Sequence, residues 1–283
     1  MILMLAIRSS CPKGVSYIMS INIVLKMLCV GWLLVFCFSH TTFAKQHTLL
    51  VVLTHGDDAV SIAPLIARYA TEGHTVHFAI FTGVQDPSDV EGSPVREGLL
   101  CASRALSIKE NFVMRGPAGE GSSTTMAIAD RLVEIIDQTR PDVIITWGPD
   151  GLTGHPRHIL VGSVVTRVFQ QQGHLKHRPR KLYYIAYPES RFPASKRPFG
   201  GIADVNGPFG TVTDSFITTK VDGSRYLKQT ADSIACFTIT QEDNAKWQQS
   251  WKERVTTTLG GTTFLRLVLP VAMGRETDIF KGL

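Results

Sequence analysis

An α/β fold, with a largely parallel sheet and helices on both of its faces, is what this sequence predicts. Residues 48–53 (Thr-Leu-Leu-Val-Val-Leu) and 143–147 (Val-Ile-Ile-Thr-Trp) are unbroken apolar runs, too short for helices and ended by polar clusters. Such runs are strands buried on both faces. Between them lie segments with apolar residues at helical spacing. Strand and helix patterns alternate along the chain, which requires crossover connections and hence parallel pairing.

The elements follow in order. Residues 48–53 form the first strand, and 62–70 a helix with Ile62, Leu65, Ile66 and Tyr69 on one side, stopped at Gly73. A second strand spans 75–81. Residues 82–94, rich in Gly, Asp and Pro, form a loop. A helix at 96–106 carries Leu99, Leu100, Ala102 and Leu106 on one side, and another at 127–138 carries Ile128, Leu132, Ile135 and Ile136. Pro141 precedes the strand at 143–147; a turn-rich loop, 148–154, leads into a helix at 156–171, and 181–187 is a further strand. Residues 191–210 form a Pro/Gly-rich loop long enough to rim a site. Beyond it, 224–236 and 241–255 are helical and 262–269 is a late strand.

The chain has 283 residues, and 45–283 are expected to form a single domain. Residues 1–44 read as a leader. From Met19 there is a sparse n-region with Lys26, an apolar stretch at 27–38 and a small-residue exit, Thr42-Phe43-Ala44. The apolar stretch falls short of the roughly 20 residues that span a bilayer. Cleavage after Ala44 and a secreted or periplasmic protein without a stable membrane anchor are therefore expected. Residues 1–18 are surplus to such a signal, and an initiator at Met19 accounts for them.

The net charge of +5 owes three cations, Arg8, Lys13 and Lys26, to the leader, which has no acid. The remainder holds 26 basic against 24 acidic residues, no electrostatic footprint for nucleic acid. Three of the five cysteines also lie in the leader. Cys101 and Cys236 remain; in an exported protein they can pair, but two cysteines are no disulfide framework, and Cys101, within an apolar helical pattern, reads instead as a small buried hydrophobe. No Gly-x-Gly-x-x-Gly follows the first strand and no Gly-Lys-Ser/Thr loop occurs, so nothing grips a nucleotide phosphate.

Two clusters carry chemistry. His55-Gly56-Asp57-Asp58 follows the first strand, and Gly154-His155-Pro156-Arg157-His158 follows the strand at 143–147. Ligands of open α/β sheets bind outside the carboxyl ends of strands. Adjacent aspartates at a strand end diverge, which suits one as metal ligand and its neighbour as base. His55 and Asp58 can converge across a tight turn. Pro156 suits the first position of a helix, with His155 as its cap, so His158 falls on the first turn beside the positive helix end, which favours a neutral imidazole. Two histidines and one aspartate leave a fourth position open, as in catalytic zinc sites. His40, His47, His74, His77, His174 and His177 have no such context.

These residues resemble the PIG-L/LmbE-like family of zinc-dependent N-deacetylases, whose signature is an apolar strand followed by His-Pro-Asp-Asp-Glu and, later, His-Pro-Asp-His at a helix start. The match runs over most of 48–187, including Gly148-Pro149-Asp150-Gly151 and Arg96. The resemblance implies a Rossmann-like fold, one Zn2+ held by His55, Asp58 and His158 (other divalent metals being tolerated), and Asp57 as general base. It implies a protonated His155 stabilising the oxyanion, Arg96 in contact with substrate, and hydrolysis of the N-acetyl group of a glucosamine-type sugar. The sequence departs from the pattern at Gly56, Ala59, Ala63-Pro64, Leu99 and Arg157, where the family has proline, glutamate, a glycine pair, glutamate and aspartate. Arg157 opposes the helix dipole; it either leaves His155 with a lower pKa, faces an anionic part of the substrate, or points to solvent without a role. The partner expected is a small N-acylated amino sugar such as an N-acetylglucosamine conjugate. The alternatives are a metal-retaining carbohydrate-binding member with impaired catalysis, or a hydrolase of another amide such as a thiol–sugar conjugate.

Overall fold

A computed structural model of the chain describes residues 45–82, 90–115, 122–192, 210–238, 244–269 and 274–283. The leader therefore lies outside the described residues, as do most of the expected loops at 82–94 and 191–210. Gln46–Leu283 folds as one unit around a seven-stranded sheet.

The strands are β1 (Thr48–Leu53), β2 (Thr75–Thr82), β3 (Glu110–Arg115), β4 (Val143–Thr146), β5 (Lys181–Ile185), β6 (Thr219–Asp222) and β7 (Thr262–Leu269), in spatial order β3-β2-β1-β4-β5-β7-β6. The first five run parallel, with Leu50 opposite His77 and Ile144; β7 pairs antiparallel with β5 and β6. Alternation along β1 divides the core. Leu49, Val51 and Leu53 face α1 (Ala63–Thr71), α2 (Pro94–Ala105) and the later helix α5 (Leu227–Ala235) through Leu65, Ile66, Leu99 and Ile234. Leu50 and Val52 face α3 (Ser122–Thr139) and α4 (Pro156–Gln170) through Leu132, Ile136, Val161 and Val165. Full burial on both faces is why β1 and β4 contain almost nothing but branched apolar residues.

Three features depart from the sequence expectations. Two strands emerge that periodicity left in loops: β3, at one sheet edge, and β6, at the other, whose four residues alternate buried and exposed. The His55 cluster does not sit on an extended strand end, since Gly56–Ile62 winds into a 3₁₀ helix before α1. Ala59, expected as a lost carboxylate, is 2% exposed inside that turn and packs in the core. Cys101 is not an isolated hydrophobe. It forms a disulfide with Cys236, tying α2 to the end of α5 across a sequence separation of 135 residues. The apolar pattern around Cys101 masked the pairing because both partners sit on helices that pack on the same sheet face.

Close approach accounts for two glycines. A Cβ at Gly98 on α2 would lie 2.8 Å from the ring of Phe237, beside the disulfide. One at Gly162 on α4 would lie 2.5 Å from the carbonyl oxygen of Trp147, so α4 rests against the end of β4 only because position 162 is glycine.

Replacing both Cys101 and Cys236 by serine should lower the unfolding free energy by about 2–4 kcal/mol, because the bridge constrains a long loop in the unfolded chain. Denaturant titration of wild type and double variant checks this, and equal midpoints would contradict a formed bridge.

Candidate metal centre

The strand order places this centre. From β1 the chain moves outward to β2 and β3, whereas β4 and β5 are added on the other side of β1. The segments leaving β1 and β4 therefore diverge to opposite faces of the sheet and leave a crevice between them, the position at which open α/β sheets bind ligands. His55, Asp57 and Asp58 enter from the β1 side; His155 and His158 enter from the β4 side.

Local geometry aims each side chain. His55 caps the 3₁₀ helix and Asp58 is its third residue. In a 3₁₀ turn, side chains three apart eclipse, so His55 and Asp58 come together while Asp57 is turned away from its neighbour. The Asp58 Oδ2 atom accepts backbone N–H groups from Thr54 at 3.1 Å and His55 at 2.7 Å. Those bonds hold the carboxylate in one orientation and leave Oδ1 facing His158 Nε2 at 3.6 Å.

On the other side, His155 is the N-cap of α4 with Pro156 at the first position, as the sequence predicts. His158, 5% exposed, donates from Nδ1 to the Gly151 carbonyl oxygen at 2.9 Å. That bond puts the proton on Nδ1 and frees Nε2. The ring also stacks on Trp147 at 4.3 Å with an interplanar angle of 4°, and Trp147 Nε1 donates to Thr54 Oγ1 at 3.2 Å. The loop that carries Gly151 is turned tightly. Gly151 has φ +62°, and Leu152 takes φ 59°, a strained value for a branched side chain.

The donor atoms fit one small divalent ion. His55 Nδ1 lies 3.2 Å from His158 Nε2 and 3.5 Å from Asp58 Oδ2. Asp58 Oδ1 lies 3.6 Å from His158 Nε2, so the two imidazoles face different oxygens of one carboxylate. A tetrahedral ion with bonds of about 2.0–2.2 Å has ligand–ligand edges of about 3.3–3.6 Å. Two overlapping groups, His55–His155–His158 and His55–Asp57–Asp58, also have donor atoms within 4.8 Å of one another.

Electrostatics favour the protonation states that ligation needs. Burial lowers the pKa of His158 from its ordinary 6.5, with Asp58 and the Gly151 carbonyl pulling the other way. Burial alone would raise the Asp58 carboxyl, but its hydrogen bond to His55 and the imidazoles of His158 and His55 hold it below the usual carboxylate value. His155 corrects an expectation. Burial, then His158 and His55, push its pKa down, and Nδ1 accepts the Arg157 backbone N–H at 3.2 Å. Both observations favour a neutral imidazole with its proton on Nε2 over the protonated species that the resemblance implied, and Arg157 contributes to the lowering as the sequence reading allowed. Its ring meets His55 edge-on at 5.0 Å.

His55, Asp57, Asp58, Ser61, Trp147, Leu152, Thr153, His155 and His158 line one cleft of about 210 Å3, with Trp247 and Trp251. The sequence reading brought the five histidines and aspartates together and missed the two tryptophans, whose only signal is spacing on a polar helix far along the chain. Arg96 sits half-buried on the first turn of α2, its backbone N–H capped by Ser93 Oγ at 3.1 Å. Neither Arg96 nor Arg157 is among the described residues lining the cleft. A larger groove of about 350 Å3 lies between α3 and α4, lined by residues such as Asp130, Arg167 and His174. No group of potential metal ligands lies there among the described residues, so size does not identify the site.

The family model described as PIG-L, GlcNAc-PI de-N-acetylase, matches residues 50–169, which contain both clusters. A 1D-myo-inositol 2-acetamido-2-deoxy-alpha-D-glucopyranoside deacetylase of Thermobifida fusca is 30% identical over 234 residues, 67% of this chain and 82% of that protein. A protein of the same name from Streptomyces avermitilis is 27% identical over 285 residues, 83% of this chain and 96% of its own. Among solved structures, N,N'-diacetylchitobiose deacetylase of Pyrococcus horikoshii is similar with a TM-score of 0.54 across 89% of this chain and 94% of that one. At 14% identity that likeness is one of fold. The resemblance first visible in two short histidine–aspartate motifs extends through the sheet, and the chain belongs to the PIG-L family.

Proposed function

We propose that this protein is a zinc-dependent N-deacetylase that hydrolyses the N-acetyl group of an N-acetylglucosamine-type amino sugar. The observation that carries the reading is the convergence of His55, Asp58 and His158, with donor atoms 3.2–3.6 Å apart in pairs, beside a second carboxylate and His155. The relatives' named activity on a 2-acetamido sugar supports the substrate class.

His55, Asp58 and His158 hold the ion in this reading. When bound there, zinc would lower the pKa of a water to about 7 and polarise the acyl carbonyl. Asp57 takes the proton of the attacking water and returns it to the departing nitrogen as the C–N bond breaks, leaving acetate and a free amine. The N–H of neutral His155 donates to the oxygen on which negative charge develops, the term that preorganised donors stabilise most. A neutral donor suits a chain in which Arg157 stands two residues away.

The leader belongs to the same proposal. Residues 1–44 direct export and are removed after Ala44, and the Cys101–Cys236 bridge supports an oxidising compartment.

Three outcomes follow from this assignment. Purified protein should release acetate from N-acetylglucosamine compounds, and a chelator should abolish the release; an unaffected rate would remove the metal from the chemistry. Asp57→Asn should lower kcat by about 10²–10⁴ while retaining zinc by elemental analysis. Activity within threefold of wild type would discard Asp57 as the base.

The third outcome concerns pH. Burial holds His155 and His158 below 6.5, so the unfolded chain takes up their protons first as pH falls. The chelated protein should thus lose stability as pH drops below about 6.5. Zinc needs the neutral imidazoles, so its stabilising effect should shrink over the same range. Melting curves at pH 7.5 and 5.5, with and without zinc, measure both; a zinc-induced rise in Tm that is larger at pH 5.5 would overturn the ligand set.

A further inference from the structure

The two tryptophans of the cleft come from a helix outside the matched 50–169 region, α6 (Asn244–Lys252). Trp247 and Trp251 are four residues apart and therefore on one helix face. They are the only large apolar side chains of α6, whose other residues are small or polar, and no residue of this helix is fully buried. Both indoles pack against the edge of the core, remain half-buried, and line the same cleft as the candidate metal ligands.

Their positions are held firmly. The ring centroids are 6.2 Å apart at an interplanar angle of 59°, so the pair forms a corner rather than a stack. Phe237 meets Trp247 edge-on at 5.9 Å. The Arg254 guanidinium, on the π-helical turn Glu253–Thr258 that continues α6, lies 4.3 Å from the centroid of Trp251. Gln248 Nε2 donates to the carbonyl oxygens of Phe237 at 2.9 Å and Ala235 at 3.3 Å. Those two residues flank Cys236, so the disulfide to α2 braces the corner from which α6 is hung.

We propose that Trp247 and Trp251 form the sugar-binding wall of the cleft, stacking a hexopyranose ring so that its N-acyl substituent meets the metal cluster. A pyranose presents a face of C–H groups edged by hydroxyls. Indole offers a flat apolar face with little conformational entropy to lose and an N–H at its rim. A cleft of about 210 Å3 is below the roughly 300–1,000 Å3 of sites for drug-sized ligands and suits one ring with its short acyl group. Any further part of the substrate then lies outside it. This inference rests on the deacetylase reading for the role of the bound sugar, but its binding test does not need turnover.

The test uses the zinc-loaded Asp57→Asn protein titrated with methyl N-acetyl-glucosaminide, followed by calorimetry and indole fluorescence. Adding Trp247→Ala or Trp251→Ala should each weaken binding about tenfold or more, with zinc content near that of the parent and the protein still folded at the assay temperature. Trp→Phe at either position should restore most of the affinity. In the otherwise wild-type enzyme the alanine changes should raise KM and leave kcat within about threefold. Affinities within twofold of the parent, loss of zinc together with affinity, or equal loss for an acyclic N-acetyl amine would each overturn the proposal. A wild-type protein that binds the glycoside through both tryptophans yet releases no acetate would sink the deacetylase reading and leave the wall standing.

Discussion

β1 and β4 are hydrogen-bonded neighbours running the same way, yet the chain leaves them toward opposite faces of the sheet. Everything chemical in this protein depends on that divergence. Two helical starts, the 3₁₀ turn at Gly56 and α4 at Pro156, emerge side by side at the same end of the sheet, and their caps are His55 and His155. Parallel pairing of Leu49 with Val143 sets the relative height of the two strand ends. A register slip of two residues would carry one strand end some 6–7 Å along the other. That displacement exceeds the whole width of the ligand cluster, so a fully buried β1 is also the gauge of the metal centre.

Below the ligands is a layer that converts backbone geometry into side-chain aim. The Gly151 carbonyl fixes which nitrogen of His158 is free, and two backbone N–H groups fix which oxygen of Asp58 is free. Trp147 joins both halves: its face supports His158 while its N–H reaches Thr54 at the end of β1. Leu152 holds a left-handed conformation in the same loop, a local cost of roughly 1–3 kcal/mol that only a well-packed surrounding maintains. Gly162 belongs to this layer as well, since any side chain there would push α4, and His158 with it, away from Trp147.

What was legible in the sequence follows from where the signal is local. β1 and β4 are buried on both faces, so composition alone marks them, and the turn and cap residues around His55 and His155 mark their own positions. Edge strands carry weaker patterns. β6 has only four residues at one end of the sheet, and β3 reads Glu-Asn-Phe-Val-Met-Arg, a mixture that periodicity cannot separate from a loop. For His155 the sequence offered only Arg157 as a reason for a lowered pKa, whereas burial and two other imidazoles lower it more, and no local pattern reports those. The disulfide and the tryptophan pair were hidden for a similar reason. Each acquires meaning only when α5 and α6 are folded back over the start of the chain.

The division between the two halves has a physical logic. The proposed metal ligands, the proposed base and their supporting layer lie within 54–162. In the same reading, recognition of the rest of a substrate falls to the later segment. There α5 and α6 are attached to the sheet through α2, the Cys101–Cys236 bridge and Gln248 rather than through strands of the parallel core. No residue of α6 is fully buried, yet Trp247 and Trp251 pack against the core on one side and line the cleft on the other. In the proposed reading, changing either would alter which molecule is held while the metal ligands stay on their own elements. A fold arranged this way separates the reaction from the choice of substrate, and the bridge at Cys236 is where the two are mechanically joined.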